Sequence, residues 1–228
     1  TLRPIAIGDV DERIDADDRR VGRGDQRQQR QVAPLPHADL AHRAEAAGAG
    51  LVVRSTPNRG KGAAVRAGVL AAHGRTVAFT DADLSYAPAQ IVRLLHEVEA
   101  GWDIVVGNRY HEDTTTTVPA SALREVGGRL VNGATRLVLR HPHADTQCGL
   151  KAFRSDVADL VFSLSRVDGF AFDVEIFMLA DRYRLSLLEV PVELENSARS
   201  TVRVVRDASV LLVDLARIRT AMARGRYR

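Results

Sequence analysis

Cysteine is almost missing from this chain. Cys148 is the only one in 228 residues, which excludes an intrachain disulfide framework and a zinc site built from cysteines. A single thiol is compatible with a reducing compartment. Also missing is any apolar run long enough to cross a bilayer, and the first residues lack the apolar core of a signal peptide, so a cytoplasmic location is expected. No charge of one sign dominates: 32 Lys and Arg face 29 Asp and Glu, a net charge of +3. Nucleic acid is therefore not an expected partner. What is present is apolar content of 45%, enough for a globular protein, and a length that suits one α/β domain with a substantial core.

The chain falls into three regions. Residues 1–48 are rich in Arg, Asp and Gln, as in Asp15-Ala16-Asp17-Asp18-Arg19-Arg20, and no apolar period runs through them until a short helical pattern at Leu40 to Ala47. Such a segment has too little apolar surface to order itself. Residues 49–200 change abruptly in character. Leu51 to Val53, Val77 to Thr80 and Ile104 to Val106 read as strands, and Ala63 to His73 and Gln90 to Glu99 as helices between them. That alternation predicts a mostly parallel sheet with helices on its faces. Further on, Ser121 to Leu139, Ser155 to Leu164 and Phe172 to Tyr183 read as helices and Ser186 to Leu194 as a strand. Residues 201–228 form a third region. On a helix, Val204, Ala208, Leu211, Leu215, Ile218 and Met222 share one face, and arginines dominate the rest. A basic amphipathic helix of this kind either lies on an anionic membrane surface or packs on its own domain.

The most informative feature is Asp81-Ala82-Asp83 at the end of the strand run Thr76 to Thr80. On extended backbone, positions i and i+2 point to one side, so two carboxylates would converge at a strand exit, where α/β folds place ligands. Like charges held that close call for a cation, and oxygen ligands suit Mg²⁺ or Mn²⁺. The plainer alternative is that Asp83 caps a helix or starts a turn and Asp81 is solvated. Asn58-Arg59-Gly60-Lys61-Gly62 is a basic, glycine-punctuated loop leading into a helix, suited to an anionic ligand or to an ordinary turn. Arg109 stands at another strand exit, where a guanidinium can grip a phosphate or merely meet solvent. His111 to Thr117 reads as a mobile loop. Cys148 reads as a small packed residue rather than a nucleophile. Asp173 and Glu175 sit among Phe172, Val174, Ile176 and Phe177, where a charge needs a partner; the alternative is that Asp173 caps a helix with Glu175 on its exposed side.

Taken together these blocks resemble the family 2 inverting glycosyltransferases of GT-A fold. They are Asn58 to Arg66, Thr80 to Asp83, Gly107-Asn108-Arg109-Tyr110, Asp145-Thr146-Gln147-Cys148-Gly149-Leu150-Lys151 and Gly169 to Glu175. The resemblance is strongest to the branch that glucosylates dolichyl or polyprenyl phosphate. It implies an α/β, three-layer nucleotide-diphospho-sugar transferase fold and a hexose transfer from a nucleotide sugar, UDP-glucose rather than GDP-mannose, to polyprenyl phosphate. It implies Mg²⁺ or Mn²⁺ on Asp81 and Asp83, donor contacts from Arg59, Gly60, Lys61, Asp81 and Asp83, and acceptor contacts from Gln147, Gly149 and Lys151. Arg109 and Asp173 become the catalytic candidates. Asp173 serves as base for a hydroxyl acceptor, or orients substrate or a basic partner if the acceptor is an already ionised phosphate. Peripheral contact of residues 202–224 with the inner face of the membrane follows from the lipid acceptor.

One part departs from the pattern. The family opens with a hydrophobic strand ending in a Pro-x-Tyr-Asn-Glu-like turn and then a strand ending in Asp-Asp-Gly-Ser, and neither motif occurs here. Val10 to Gln31 is rich in Arg, Asp and Gln instead, and residues 1 to about 46 have the look of an out-of-frame translation of a GC-rich gene, which reading the coding DNA in its other frames would test. Loss of two central strands predicts an incomplete core with an open edge and weak or absent nucleotide-sugar binding. A nucleotidyltransferase and a non-catalytic remnant are the competing expectations.

Overall fold

The computed structural model describes residues 5–8, 45–55, 57–83, 85–118, 133, 135–136, 143–195 and 204–227, with backbone only for 5–8, 118 and 204–209. Two compact units result, Thr1–Arg59 and Gly60–Arg228. In the first, β1 (Ile5–Gly8) pairs in parallel with β2 (Leu51–Arg54), Ile5 opposite Leu51 and Gly8 opposite Arg54. A strand therefore stands inside the segment expected to lack order, because Ile-Ala-Ile is apolar and β-branched enough to add an edge to Leu-Val-Val. Residues 49–59, expected with the following domain, fall in the first unit through this pairing. Val10 to Gln31 lies outside the described residues, as does most of the helix expected over Ser121 to Leu139, of which 133, 135 and 136 are helical.

The second unit is built on a four-stranded sheet. Its elements in chain order are α1 (Lys61–Leu70), β3 (Thr76–Phe79), α2 (Gln90–Glu99), β4 (Ile104–Asn108), β5 (Thr115–Val118), β6 (Lys151–Arg154), α3 (Ser155–Leu164), α4 (Phe172–Tyr183), β7 (Leu187–Pro191), β8 (Glu193–Glu195) and α5 (Val204–Ala223). The sheet order is β3-β6-β4-β7. β4 and β7 run parallel, as expected, but β6 runs antiparallel to both β3 and β4, so the sheet is mixed. Lys-Ala-Phe-Arg gives little periodic signal in four residues, and β6 was hidden inside a motif read for its chemistry. Its register places Lys151 opposite both Phe79 and Val106, at the exit end of β3 and β4.

Alternation along the strands divides the core between two faces. Ile104, Val106 and Phe153 join Val65, Val69, Val157, Val161, Phe162 and most of α4 on one face, while Val105 and Ala152 join Leu94, Val98, Cys148, Leu150 and Val190 on the other. Four phenylalanines, Phe79, Phe153, Phe162 and Phe172, meet edge and face at centroid distances of 5.4–6.3 Å directly behind the sheet's exit end. The predicted face of α5 closes the same core: Leu211, Leu215 and Ile218 are buried.

Two expectations are corrected here. Thr115–Val118, read as part of a mobile loop, is strand β5 and pairs in parallel with β8; a run of β-branched threonines suits a pleated strand. The single strand expected over Ser186 to Leu194 is two, because Pro191 has no N–H to continue the ladder. Past it, the Val192 N–H turns to Thr114 Oγ1 at 3.1 Å and the Val192 carbonyl accepts from Thr115 at 3.1 Å.

Candidate functional site

Everything that follows belongs to the second unit; Arg59, expected as a donor contact, is in the first. Helix α1 starts at Lys61 behind Gly60, whose φ of 112° favours glycine. The helix start is packed hard on the loop before α4. A Cβ at Gly60 would lie 2.6 Å from the Asp168 carbonyl oxygen, and one at Gly62 2.5 Å from that of Val167. This packing aims Lys61 at the sheet's exit. Its Nζ lies 2.7 Å from Asp81 Oδ1 and 3.9 Å from Asp173 Oδ2. Burial alone would lower the Lys61 ammonium, but Asp173 and Asp81 outweigh it and hold the pKa above the ordinary lysine value.

Asp81 and Asp83 do not share one extended strand. β3 ends at Phe79 and residues 82–83 form a turn. Asp83 is exposed, and its Oδ1 accepts from the Ser85 N–H at 3.0 Å, so the turn-starting role is real. Asp81 faces inward. Its carboxylate lies against Gly149, where any Cβ would fall 2.0 Å from Oδ2; only glycine leaves this cradle open. The site thereby brings together the loops at 60–62, 80–83 and 145–151.

Beneath them, Lys151 is fully buried. Its ammonium donates to Asp173 Oδ1 at 2.5 Å and to the Cys148 carbonyl at 2.6 Å. Lys151 thus underlies Asp173 rather than presenting itself to an acceptor. Asp173 is not a helix cap, since Ala171 holds that place without a side-chain bond. It is 1% exposed and lies between the Lys61 and Lys151 ammonium groups. Glu175, considered for the exposed side of α4, is fully buried instead.

Arg109 leaves β4 and is clamped by Asp145, with Nε to Oδ2 at 2.7 Å, Nη2 to Oδ1 at 2.8 Å and its backbone N–H to Oδ2 at 2.9 Å. Asp145 is fully buried; burial would raise its pKa, but Arg109 outweighs that and holds it below the usual carboxylate range. Asp145 stood in a quoted motif, but nothing in the sequence marks it as the partner of a residue 36 positions away. Cys148 is fully buried, and burial pushes its thiol up, as befits packing rather than attack.

Among the described residues, three buried polar atoms on these same loops find no hydrogen-bond partner: Thr80 Oγ1, Thr146 Oγ1 and Gln147 Nε2. Buried polar atoms are ordinarily satisfied, so these three are atoms whose partner, a water or a ligand, is not part of the described chain. Asp81, in its glycine cradle, and Asp83, with an oxygen to spare, offer hard oxygen donors that fit Mg²⁺ or Mn²⁺. Among the described residues no group of three or more His, Cys, Asp or Glu could hold a metal, so the remaining ligands would come from water or substrate.

A mixed sheet with helices on both faces and charged loops at its strand exits fits the GT-A fold of nucleotide-diphospho-sugar transferases. Solved structures agree. Glucosyl-3-phosphoglycerate synthase from Mycobacterium tuberculosis with phosphoglyceric acid is 22% identical with a TM-score of 0.57, covering 79% of this chain and 64% of that one. The same enzyme with Mn²⁺, UDP-glucose and phosphoglyceric acid also gives 0.57, at 22% identity, 80% of this chain and 65% of that one. The model for glycosyl transferase family 2 matches residues 39–162, and the chain belongs to that family. It is 30% identical over 192 residues to the dolichyl-phosphate beta-glucosyltransferase of Saccharomyces cerevisiae, covering 78% of this chain and 57% of the relative. To the enzyme of that name in Drosophila melanogaster it is 35% identical over 150 residues, 62% and 45%. The chain spans about half the length of these relatives.

Proposed function

We propose that this chain transfers glucose, with inversion, from UDP-glucose to a polyprenyl or dolichyl phosphate. The observation that carries the reading is Asp81, seated on Gly149 with Lys61 on one oxygen, because it joins three of the motif loops at one point. The names of the relatives support the lipid phosphate acceptor, and the Mn²⁺ and UDP-glucose named for the structural neighbour support the donor and the metal.

In this reading a phosphate oxygen of the acceptor attacks the anomeric carbon in line. The new C–O bond forms as the bond to the donor diphosphate breaks, and its electron pair leaves with UDP. The acceptor is already ionised, so no base is required, and Asp173 holds Lys61 in place instead. Lys61 contributes positive charge beside the leaving diphosphate, and the clamped Arg109 presents a fixed guanidinium to a phosphate. Asp81 and Asp83 would hold Mg²⁺ or Mn²⁺, which supplies charge stabilisation to the diphosphate. Gln147 and Gly149 line the acceptor side.

The third region of the sequence serves as a peripheral membrane contact at the inner face, through residues 202–224. Among the described residues no helix is long and apolar enough to cross a membrane. Val210, Leu212 and Val213 on α5 are about half exposed, and the exposed Arg219 and Arg224 give that segment positive charge suited to anionic lipid.

The deciding experiment is product analysis with radiolabelled UDP-glucose or GDP-mannose, Mn²⁺ and polyprenyl phosphate. Glucosyl lipid from UDP-glucose alone is expected. Mannosyl lipid would reverse the donor assignment, and no product with either would favour the non-catalytic reading. No observation favours a nucleotidyltransferase. The weak donor affinity expected from the N-terminal segment is a separate claim, and micromolar UDP-glucose binding in calorimetry would refute it.

A further inference from the structure

We infer that Glu175 and the C-terminal turn at Tyr227 form a clasp that sets the position of the loop carrying Lys61, making both residues positioning residues for the donor side of the site. The inference rests on the donor reading of Lys61 given above. Glu175, in the first turn of α4, is fully buried, and among the described residues its carboxylate bonds to the loop at 166–167 and to Tyr227 rather than to Lys61, Asp81 or Asp83. It accepts the Arg166 N–H at 2.9 and 3.0 Å, the Val167 N–H at 3.0 Å and the Tyr227 hydroxyl at 2.6 Å. A buried carboxylate is costly unless so satisfied, and neither sugar transfer nor metal binding uses this one.

Tyr227 is itself anchored. It is 1% exposed, and its carbonyl accepts from Arg182 Nε at 3.0 Å and the Tyr183 hydroxyl at 3.4 Å. The Arg226 carbonyl accepts from Arg166 Nη2 at 3.2 Å. The backbone at 166–167 is thus tied to the chain's last turn. The other edge of the same loop bears on α1. The Asp168 carbonyl accepts the Ala63 N–H at 3.1 Å, and the Asp168 carboxylate pairs with Arg66. The approach to Gly60 and Gly62 is so close that neither tolerates a Cβ. Backbone packed on backbone has no side chain to absorb a displacement. A shift at 166–168 therefore carries into 60–62 and alters the 2.7 Å reach of Lys61 to Asp81.

The test compares Tyr227→Phe, which removes one hydroxyl, and Glu175→Gln with Val98→Ala, a core truncation on the opposite face of the sheet. Hydrogen–deuterium exchange is followed over residues 60–66 and 165–169, and UDP affinity with Mn²⁺ is measured by calorimetry. Both clasp variants should raise exchange in both segments and weaken UDP binding about fivefold, the lower end of ordinary site-to-site coupling. Val98→Ala should do neither at a comparable drop in melting temperature. Faster exchange confined to 165–169 with unchanged UDP affinity overturns the inference, as does the same response from Val98→Ala. If Glu175→Gln does not fold, Tyr227→Phe decides. If the wild type binds no UDP, which the altered N-terminal segment would also produce, the exchange at 60–66 decides the clasp by itself.

Discussion

The two ends of the four-stranded sheet carry the same kinds of charged residue and use them differently. At the end where β4 and β7 begin, Asp103 Oδ1 meets Arg154 Nη1 at 2.5 Å, and its Oδ2 accepts the Ser186 N–H and hydroxyl at 2.8 and 2.9 Å. Ser186 Oγ in turn accepts the Asp103 N–H at 3.0 Å. Arg154 is 47% exposed and Asp103 16%, so this network is partly open to water and ties strand ends together. At the exit end, Lys151–Asp173 is wholly buried, Asp145 is buried under an Arg109 that is 30% exposed, and among the described residues three polar atoms of these loops find no partner. A region that only had to be stable would resemble the first end. Buried charge in fixed geometry beside unsatisfied polar atoms raises the cost of folding, and what it supplies is preorganisation toward a ligand.

The largest expected effect separates the two ends by stability. Lys151→Met leaves Asp173 buried beside one partner fewer, which should cost about 3–5 kcal/mol in denaturant unfolding. The double variant Lys151→Met, Asp173→Leu should cost less than either single change, because no charge is then stranded. Arg154→Ala, at the wet end, should leave the melting temperature almost unchanged. Equal losses at the two ends would erase the contrast. Next comes function. Arg109→Lys keeps the charge but cannot reproduce the two-pronged grip on Asp145, and under the proposed function glucosyl transfer should fall about 10²-fold, the size seen when one oriented donor is lost. A lysine variant with wild-type turnover would mean that the fixed fork is irrelevant.

Acid gives a smaller and more pointed comparison. The folded pKa of Asp145 is lowered, with Arg109 outweighing the effect of burial. Its contribution to stability is therefore present above the unfolded carboxylate value of about 3.9 and is lost as pH falls through the lower folded value. The gap in melting temperature between wild type and Asp145→Asn should be constant near neutrality and should close only below that range. A gap that instead closes between pH 7 and 5 would assign the stabilisation to another group.

How much of this was legible beforehand depended on whether a signal was local. The helices at Gln90–Glu99, Ser155–Leu164 and Phe172–Tyr183 have the predicted bounds, because their apolar periodicity lies within each segment. The strand exits at Asp81 and Arg109 were readable for the same reason. β6 was not, since four residues with a lysine and an arginine at the ends carry no alternation, and their strand character comes from neighbours on both sides. Nor were the pairings Arg109–Asp145 and Glu175–Tyr227, which join residues 36 and 52 positions apart. The sequence marked which charges needed partners, and the tertiary structure alone says which partner each one found.

Cys148 provides the smallest predicted effect, at the point where the two readings of the exit end meet. It lies one residue from Gln147 and Gly149, yet it is fully buried, burial pushes its thiol up, and it packs with Leu94, Val98 and Val105 on one face of the sheet. Its sulfur fills the space beside Gly107, where a Cβ would come within 2.7 Å of it. A thiol so placed has no thiolate to offer and no path for a reagent. Cys148→Ala should therefore cost about 1 kcal/mol through the small void and leave glucosyl transfer unchanged. N-ethylmaleimide should label the native wild type only as fast as the fold opens. Rapid labelling with loss of transfer in the wild type, and resistance in Cys148→Ala, would move this residue from the packed layer to the ligand surface and blur the line between them.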